Sequence, residues 1–117
     1  LARVRAALRH SVSDSGEGLF AAADVTIDFV KRIVLRSGTE VKLTPTEYTF
    51  IKLLAKNSGK VVTHNQIMHE LWPGQPEPDP SYLRVYVLQL RRKLESDPSQ
   101  PRLIITEPGI GYRLIAD

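Results

Sequence analysis

Cysteine is absent from the chain. Disulfides, thiol chemistry and cysteine-based zinc sites are therefore excluded. The absence suits a reducing compartment, so a cytoplasmic location is expected. No apolar run approaches the ~20 residues of a membrane-spanning helix. No secretory signal pattern is visible, and the chain opens at Leu1, without Met, inside a helical pattern, which reads as a piece of a longer protein. Histidine is scarce: His10, His64 and His69 are all there is, and the last two stand five apart rather than the four that aligns two ligands on a helix. No glycine-rich phosphate loop and no Ser–His–Asp constellation with local support occurs, so neither an enzyme nor a metal or cofactor site is expected. One further absence is local. Between Tyr82 and Leu94 there is no acid, although arginine and lysine occur four times there.

That stretch, Asp79 to Glu95, organises the rest. Asp79 is a good N-cap and Pro80 suits the first helical position. Leu83, Val87, Leu90 and Leu94 recur at spacings of four, three and four, one helical stripe that should face a core. Tyr82, Val85, Tyr86 and Gln89 form a second stripe, and Arg84, Arg91, Arg92 and Lys93 add positive charge. A helix buried on one side, with flat or hydrogen-bonding side chains and cations elsewhere, is what a DNA major groove accepts. A solvated basic face on an ordinary amphipathic helix is the plainer alternative. The 117 residues suit one domain with a real core, and the net charge of +3 with a pI near 9.4 favours a polyanionic partner without naming one.

Leu1 to His10 has the pattern of a short helix, and Ser11 to Gly18 has the small, polar composition of a linker. A boundary is expected there, with one domain over 19–117. From Leu19 to Leu43 the period is two: Val25, Ile27 and Phe29, then Ile33 and Leu35, then Val41 and Leu43 alternate with polar neighbours, predicting an antiparallel sheet of three or four strands. Thr44-Pro45-Thr46-Glu47 is a capping box that opens a helix to about Asn57, burying Tyr48, Ile51, Leu54 and Ala55. Lys60 to Val62 is extended. Thr63-His64-Asn65-Gln66 is a second capping box, opening a helix through about Trp72. Pro73 to Pro80 is half proline, a stiff acidic connector or a protein-contact loop. Leu103 to Thr106 and Tyr112 to Ile115 are strands of a hairpin, whose Pro108-Gly109 suits a type II turn.

The expected fold is α+β: an N-terminal antiparallel sheet, three helices and a C-terminal β-hairpin, which is a winged helix-turn-helix. One helix would enter the major groove and the hairpin would reach the backbone or minor groove, where arginine is favoured and Arg113 is well placed. Thr44 and Thr63 head helices whose N–H groups can meet phosphates, with capping alone as the competing role. Trp72 can lay its indole N–H on a phosphate or serve the core. A winged helix used as a protein-interaction module is the alternative from another class, and steep salt dependence of DNA binding separates the two.

The motifs L-T-P-T-E-Y at Leu43 to Tyr48, G-K-V-V-T-x-x-Q-I at Gly59 to Ile67, L-W at Leu71-Trp72, V-x-x-L-R-R-K-L at Val87 to Leu94 and I-T-E-P-G-I-G-Y-R-L at Ile105 to Leu114 resemble the OmpR/PhoB family. Within it, Tyr82 to Tyr86 and Glu107 to Arg113 are most similar to the KdpE branch, regulators of potassium-transport operons. The resemblance implies the double-stranded-DNA-binding output domain of a two-component response regulator. It places Ser81, Tyr82, Val85, Tyr86 and Gln89 as groove-facing readers, Arg84, Arg91 and Arg92 near flanking phosphates, Thr63 and Trp72 on the backbone, and Arg113 on the wing. It makes Gln75, Glu77 and Asp79 part of a loop that can meet RNA polymerase, and Leu1 to His10 the end of a receiver domain's last helix. A sensor histidine kinase would act through that receiver, and a homodimer would bind direct repeats. Two departures stand out. Many relatives carry arginine at the positions of Ser81, Leu88 and Gln89, and many carry a basic residue where Glu107-Pro108 stands. Weaker binding by the monomer, and reliance on dimerisation, are expected.

Overall fold

Alternating apolar residues build the first layer of the computed structural model, which describes residues 18–74 and 81–115. Strands β1 (Leu19–Ala22), β2 (Val25–Asp28), β3 (Ile33–Arg36) and β4 (Thr39–Val41) form an antiparallel meander in that order. Phe20, Ile27, Val34 and Val41 stand opposite one another in successive pairs and make one inward row. Cross-strand partners share a face, so Val34, not Ile33 or Leu35, is the residue that β3 buries. This corrects the phase expected for that strand. The β3–β4 turn is two residues, Ser37 and Gly38, both with positive φ (52° and 83°), as a twisted hairpin requires.

Both capping boxes form. Helix α1 (Pro45–Lys56) starts with the Thr44 hydroxyl accepting from the Glu47 N–H, while the Glu47 carboxylate accepts from the Thr44 N–H. Helix α2 (His64–Leu71) repeats this with Thr63 and Gln66, and Trp72 is its C-cap. Helix α3 is described from Ser81 to Leu94. The expected cap at Asp79-Pro80, the loop residues Gln75 and Glu77, the expected helix Leu1 to His10 and the linker from Ser11 to Glu17 lie outside the described residues. The first sheet lies on α1, where the Arg32 guanidinium stands 4.7 Å over the Tyr48 ring and the Lys56 ammonium 5.1 Å from the Phe29 ring. Leu83, Val87, Leu90 and Leu94 are fully buried with Phe50, Ile51, Leu54 and Ile67, so the apolar stripe of α3 fills the centre of the molecule.

The C-terminal hairpin, β6 (Ile104–Glu107) and β7 (Gly111–Leu114), begins one residue later than expected in β6 and one earlier in β7. Its turn is closed by the Ile110 N–H on the Glu107 carbonyl (2.9 Å), with Gly109 at φ 74°, the geometry of a type II turn. The short strand β5 (Val61–Thr63), between α1 and α2, joins it in the order β5-β7-β6. Gly111 makes this possible: a Cβ there would stand 1.9 Å from the Val62 carbonyl oxygen.

A buried carboxylate locks the hairpin to α3. Glu95, just past the helix end and 4% exposed, accepts backbone N–H groups from Arg102 (2.9 Å), Leu103 (2.9 Å) and Ile104 (2.7 Å). Charge-assisted bonds of this kind are the strong ones, and three amides left unpaired on removal each carry a desolvation penalty. Glu95→Ala is expected to lower unfolding free energy by about 2–4 kcal/mol, and Glu95→Gln by less. Urea titrations of the three proteins check this, and a loss under about 1 kcal/mol would show that the amides find other partners.

Candidate nucleic-acid interface

Helix α3 divides its circumference into three working faces. The buried stripe has its opposite in Ser81, Val85, Leu88 and Arg92, which repeat the four, three, four spacing two residues earlier in the chain. A two-residue offset is about 200° around the axis, so this ridge points directly away from the core, and all four residues are exposed. On one flank stand Tyr82, Tyr86, Gln89 and Lys93, on the other Arg84 and Arg91.

The first flank meets α2. The Trp72 ring lies 6.5 Å from that of Tyr82 and 5.9 Å from that of Tyr86, at steep angles. Tyr86 and Trp72 are half-buried against the core, while Tyr82 is exposed. The three aromatics thus form a rigid shoulder beside the ridge, with amphipathic edges at its surface. Further along, the Lys93 ammonium pairs with the buried Glu47 carboxylate at 2.6 Å and donates to the Lys42 carbonyl at 3.0 Å. That lysine ties α3 to the cap of α1.

The second flank meets the wing. The Arg91 guanidinium donates to the Ile104 carbonyl (3.2 and 2.9 Å) and to the Thr106 hydroxyl (2.8 Å). Of the four cations on α3, then, Arg91 and Lys93 are engaged within the fold, and Arg84 and Arg92 are exposed. Tyr112, on the same face of β7, packs edge-on against Phe50 (6.0 Å) and His64 (5.7 Å). Burial pushes its phenol above the ordinary tyrosine range, and the charges of Arg84 and Arg91 partly offset this.

Arg113 is on the opposite face of the wing sheet, since neighbours in a strand alternate. Its Nη2 pairs with Glu107 at 2.7 Å, and its buried Nε has no hydrogen-bond partner among the described residues. Thr63 ends β5 opposite Gly111 and caps α2, so it joins the wing sheet to a helix N-terminus. Ser81 opens α3 at the surface. The structure therefore brings Trp72, Tyr82 and Tyr86 together, and Arg91 to the wing, while Arg113 and Thr63 stand on the wing sheet. Gln75, Glu77 and Asp79 lie outside the described residues.

Three features escaped the sequence. Leu88 belongs to the outward ridge, which its spacing to Val85 alone signals. The Glu47–Lys93 pair spans 46 positions and has no local trace. Glu95 could have been suspected, because an acid at a helix C-terminus is disfavoured unless something else holds it. No group of three or more His, Cys, Asp or Glu that could hold a metal exists among the described residues, and no described helix is long and apolar enough to cross a membrane.

The family described as "Transcriptional regulatory protein, C terminal" matches residues 38–114. The KDP operon transcriptional regulatory protein KdpE of Escherichia coli (strain K12) is 44% identical over 115 residues, 97% of this chain and 51% of that protein. The transcriptional regulatory protein KdpE of Mycobacterium tuberculosis (strain ATCC 25618 / H37Rv) is 42% identical over 118 residues, covering 99% and 52%. The chain spans about half the length of these curated relatives. The response regulator DrrB of Thermotoga maritima, an OmpR/PhoB homolog, has a similar structure with a TM-score of 0.79 at 28% identity, over 93% of this chain and 50% of that one. So has the RstA DNA-binding domain of Klebsiella pneumoniae, solved in complex with the RstA box, at 0.73 and 26%, over 83% and 96%.

The two neighbouring arginines should respond differently to removal. Arg91→Ala is expected to lower stability by about 1–2 kcal/mol, because three hydrogen bonds to the wing are lost. Arg92→Ala is expected to leave the melting temperature unchanged and to reduce the salt dependence of duplex binding by about one unit of slope. Thermal melts paired with binding isotherms at several salt concentrations separate the cases, and equal stability of the two variants would return Arg91 to the free cations.

Proposed function

From the premise that the chain belongs to the family of transcriptional regulatory C-terminal domains of OmpR/PhoB type, we propose that it binds double-stranded DNA sequence-specifically with α3 in the major groove and the β6–β7 wing at the minor groove. The family is one of transcription regulators, not of enzymes. The observation that carries the reading is the outward ridge of α3, directly opposite the buried stripe and flanked by exposed Arg84 and by the Trp72–Tyr82–Tyr86 shoulder. Ser81, Tyr82, Val85, Tyr86 and Gln89 face the bases, with Gln89 suited to the paired donor and acceptor of adenine. Arg84 and Arg92 reach flanking phosphates, with Arg91 bracing the wing beside them. Thr63 and Trp72 hold the backbone on the α2 side, where a helix N-terminus adds N–H donors. Arg113 reaches the backbone or minor groove by exchanging Glu107 for DNA.

The same reading makes this the output domain of a cytoplasmic two-component response regulator, with residues 19–117 as the DNA-binding unit, 11–18 as linker and 1–10 as the end of a receiver helix. A sensor histidine kinase acts on the receiver, and the phosphorylated protein binds direct repeats as a homodimer. Both curated relatives described above carry the name KdpE, one of them as the KDP operon regulator, which supports a potassium-transport operon as the target. Gln75, Glu77 and Asp79 belong to a loop that meets RNA polymerase.

A salt titration tests the whole reading, on random duplex and on the promoter of a neighbouring potassium-transport operon. With Arg84, Arg92 and Arg113 on phosphates, log K should fall with log salt at a slope of about −3 for one domain. Preference for the promoter supports the potassium operon; equal binding to both keeps the regulator and discards that target. No binding even at low salt favours a protein-interaction module. For the loop, Glu77→Lys with Asp79→Lys is expected to leave DNA affinity intact and lower transcription from the target promoter. Normal activation by that double variant would remove the loop from polymerase contact.

A further inference from the structure

The outermost point of α3 is apolar. Val85 is 55% exposed and Leu88 48%, although neither takes part in the core. They are the two central members of the outward ridge, with Ser81 before them and Arg92 after. Tyr82 and Gln89 stand on one side and Arg84 on the other, so the pair is a small apolar island inside a polar, cationic surface. In a groove-bound helix this ridge goes deepest, and its centre meets the base edges rather than the phosphates.

An isopropyl or isobutyl group cannot discriminate hydrogen-bond donors from acceptors. The one apolar group that base pairs present in the major groove is the C5-methyl of thymine. Val85 and Leu88 are three residues apart, about 4.5 Å along the helix axis, close enough for their side chains to meet the edges of neighbouring base pairs. We propose that Val85 and Leu88 read the C5-methyl groups of thymines at two neighbouring base pairs, making this a reader of T-bearing steps at the centre of each half-site. The inference rests on the major-groove reading above and deepens it. It adds Leu88 to the specificity-determining residues and gives Val85 a definite partner. Where the resemblance led one to expect an arginine at position 88, the leucine exchanges a cation contact for a methyl contact.

The test begins with a binding site selected by this protein from random duplex. Each thymine is then replaced in turn by deoxyuridine, which removes only the methyl group, and affinity is measured at fixed salt. Two neighbouring positions should weaken about 3–5-fold each, the scale of one buried methyl. At those positions a C·G pair should bind better when the cytosine carries a 5-methyl group. Val85→Ala should abolish the thymine–deoxyuridine difference at one position and Leu88→Ala at the other, with the salt slope unchanged. Alanine is a better helix former than either residue, so both variants fold. A selected site whose every thymine tolerates deoxyuridine overturns the methyl reading while leaving sequence-specific binding intact. A sensitive position whose profile neither variant alters also overturns it. Failure to select any site overturns the major-groove reading and this proposal with it.

Discussion

The Glu95 carboxylate makes α3 and the wing one body. A charge this deeply buried is tolerated only when its lone pairs are filled, and here three consecutive backbone N–H groups fill them. Because those donors belong to Arg102, Leu103 and Ile104, the approach to β6 cannot move without exposing a charge or orphaning amides. Arg91 repeats the lock one turn back, on the Ile104 carbonyl and Thr106 hydroxyl. On the other side, Glu47 does similar work: it completes the cap of α1 and holds Lys93. Position and angle of α3 are thus set by two carboxylates that sequence patterning alone assigns to capping or to solvent.

Using charge for architecture leaves less of it for DNA. Two of the four cations on α3 are engaged internally, and the wing arginine pairs with Glu107. Ion pairs between partly exposed groups are weak and screened, so Arg113 can leave Glu107 for a phosphate, but it starts from a neutral pair rather than from a free cation. Of the cations on α3 and the wing hairpin, the fold therefore leaves Arg84 and Arg92 without an internal hydrogen bond or ion pair among the described residues. Non-specific affinity scales with the number of phosphates neutralised. A low count trims binding to random duplex more than binding to a true site.

What was legible in the sequence was whatever is specified by neighbours. Both capping boxes, the buried stripe of α3 and the Pro108-Gly109 turn involve residues within a few positions of each other, and all four appear in the structure. What was not legible depends on partners far along the chain. Ile33-Val34-Leu35 is apolar throughout, so its period has no phase until β2 and β4 fix the register and turn Val34 inward. The extended stretch at Lys60 to Val62 was legible and contains most of β5, but its pairing with β7 some fifty positions later was not. Arg91 and Arg92 are adjacent and alike in composition; only the helical angle, and a hairpin waiting at one of the two angles, gives them different surroundings.

The same angular logic bears on how such a domain achieves specificity. Cations placed at the flanks act on phosphates and are blind to sequence. The outward ridge, proposed to face the bases, has Ser81, Val85 and Leu88 ahead of its single cation, Arg92. An apolar ridge contributes little where no methyl group meets it, and a low cation count contributes little anywhere. Discrimination by one such domain then rests on small increments, each near a methyl's worth of burial. Two domains on adjacent repeats multiply those increments, because linking converts the second binding event into an intramolecular one. The methyl-reading α3 and the dimer on direct repeats, both proposed above, complement each other: the first would keep a lone domain from settling on random DNA, and the second would restore affinity where the repeats occur.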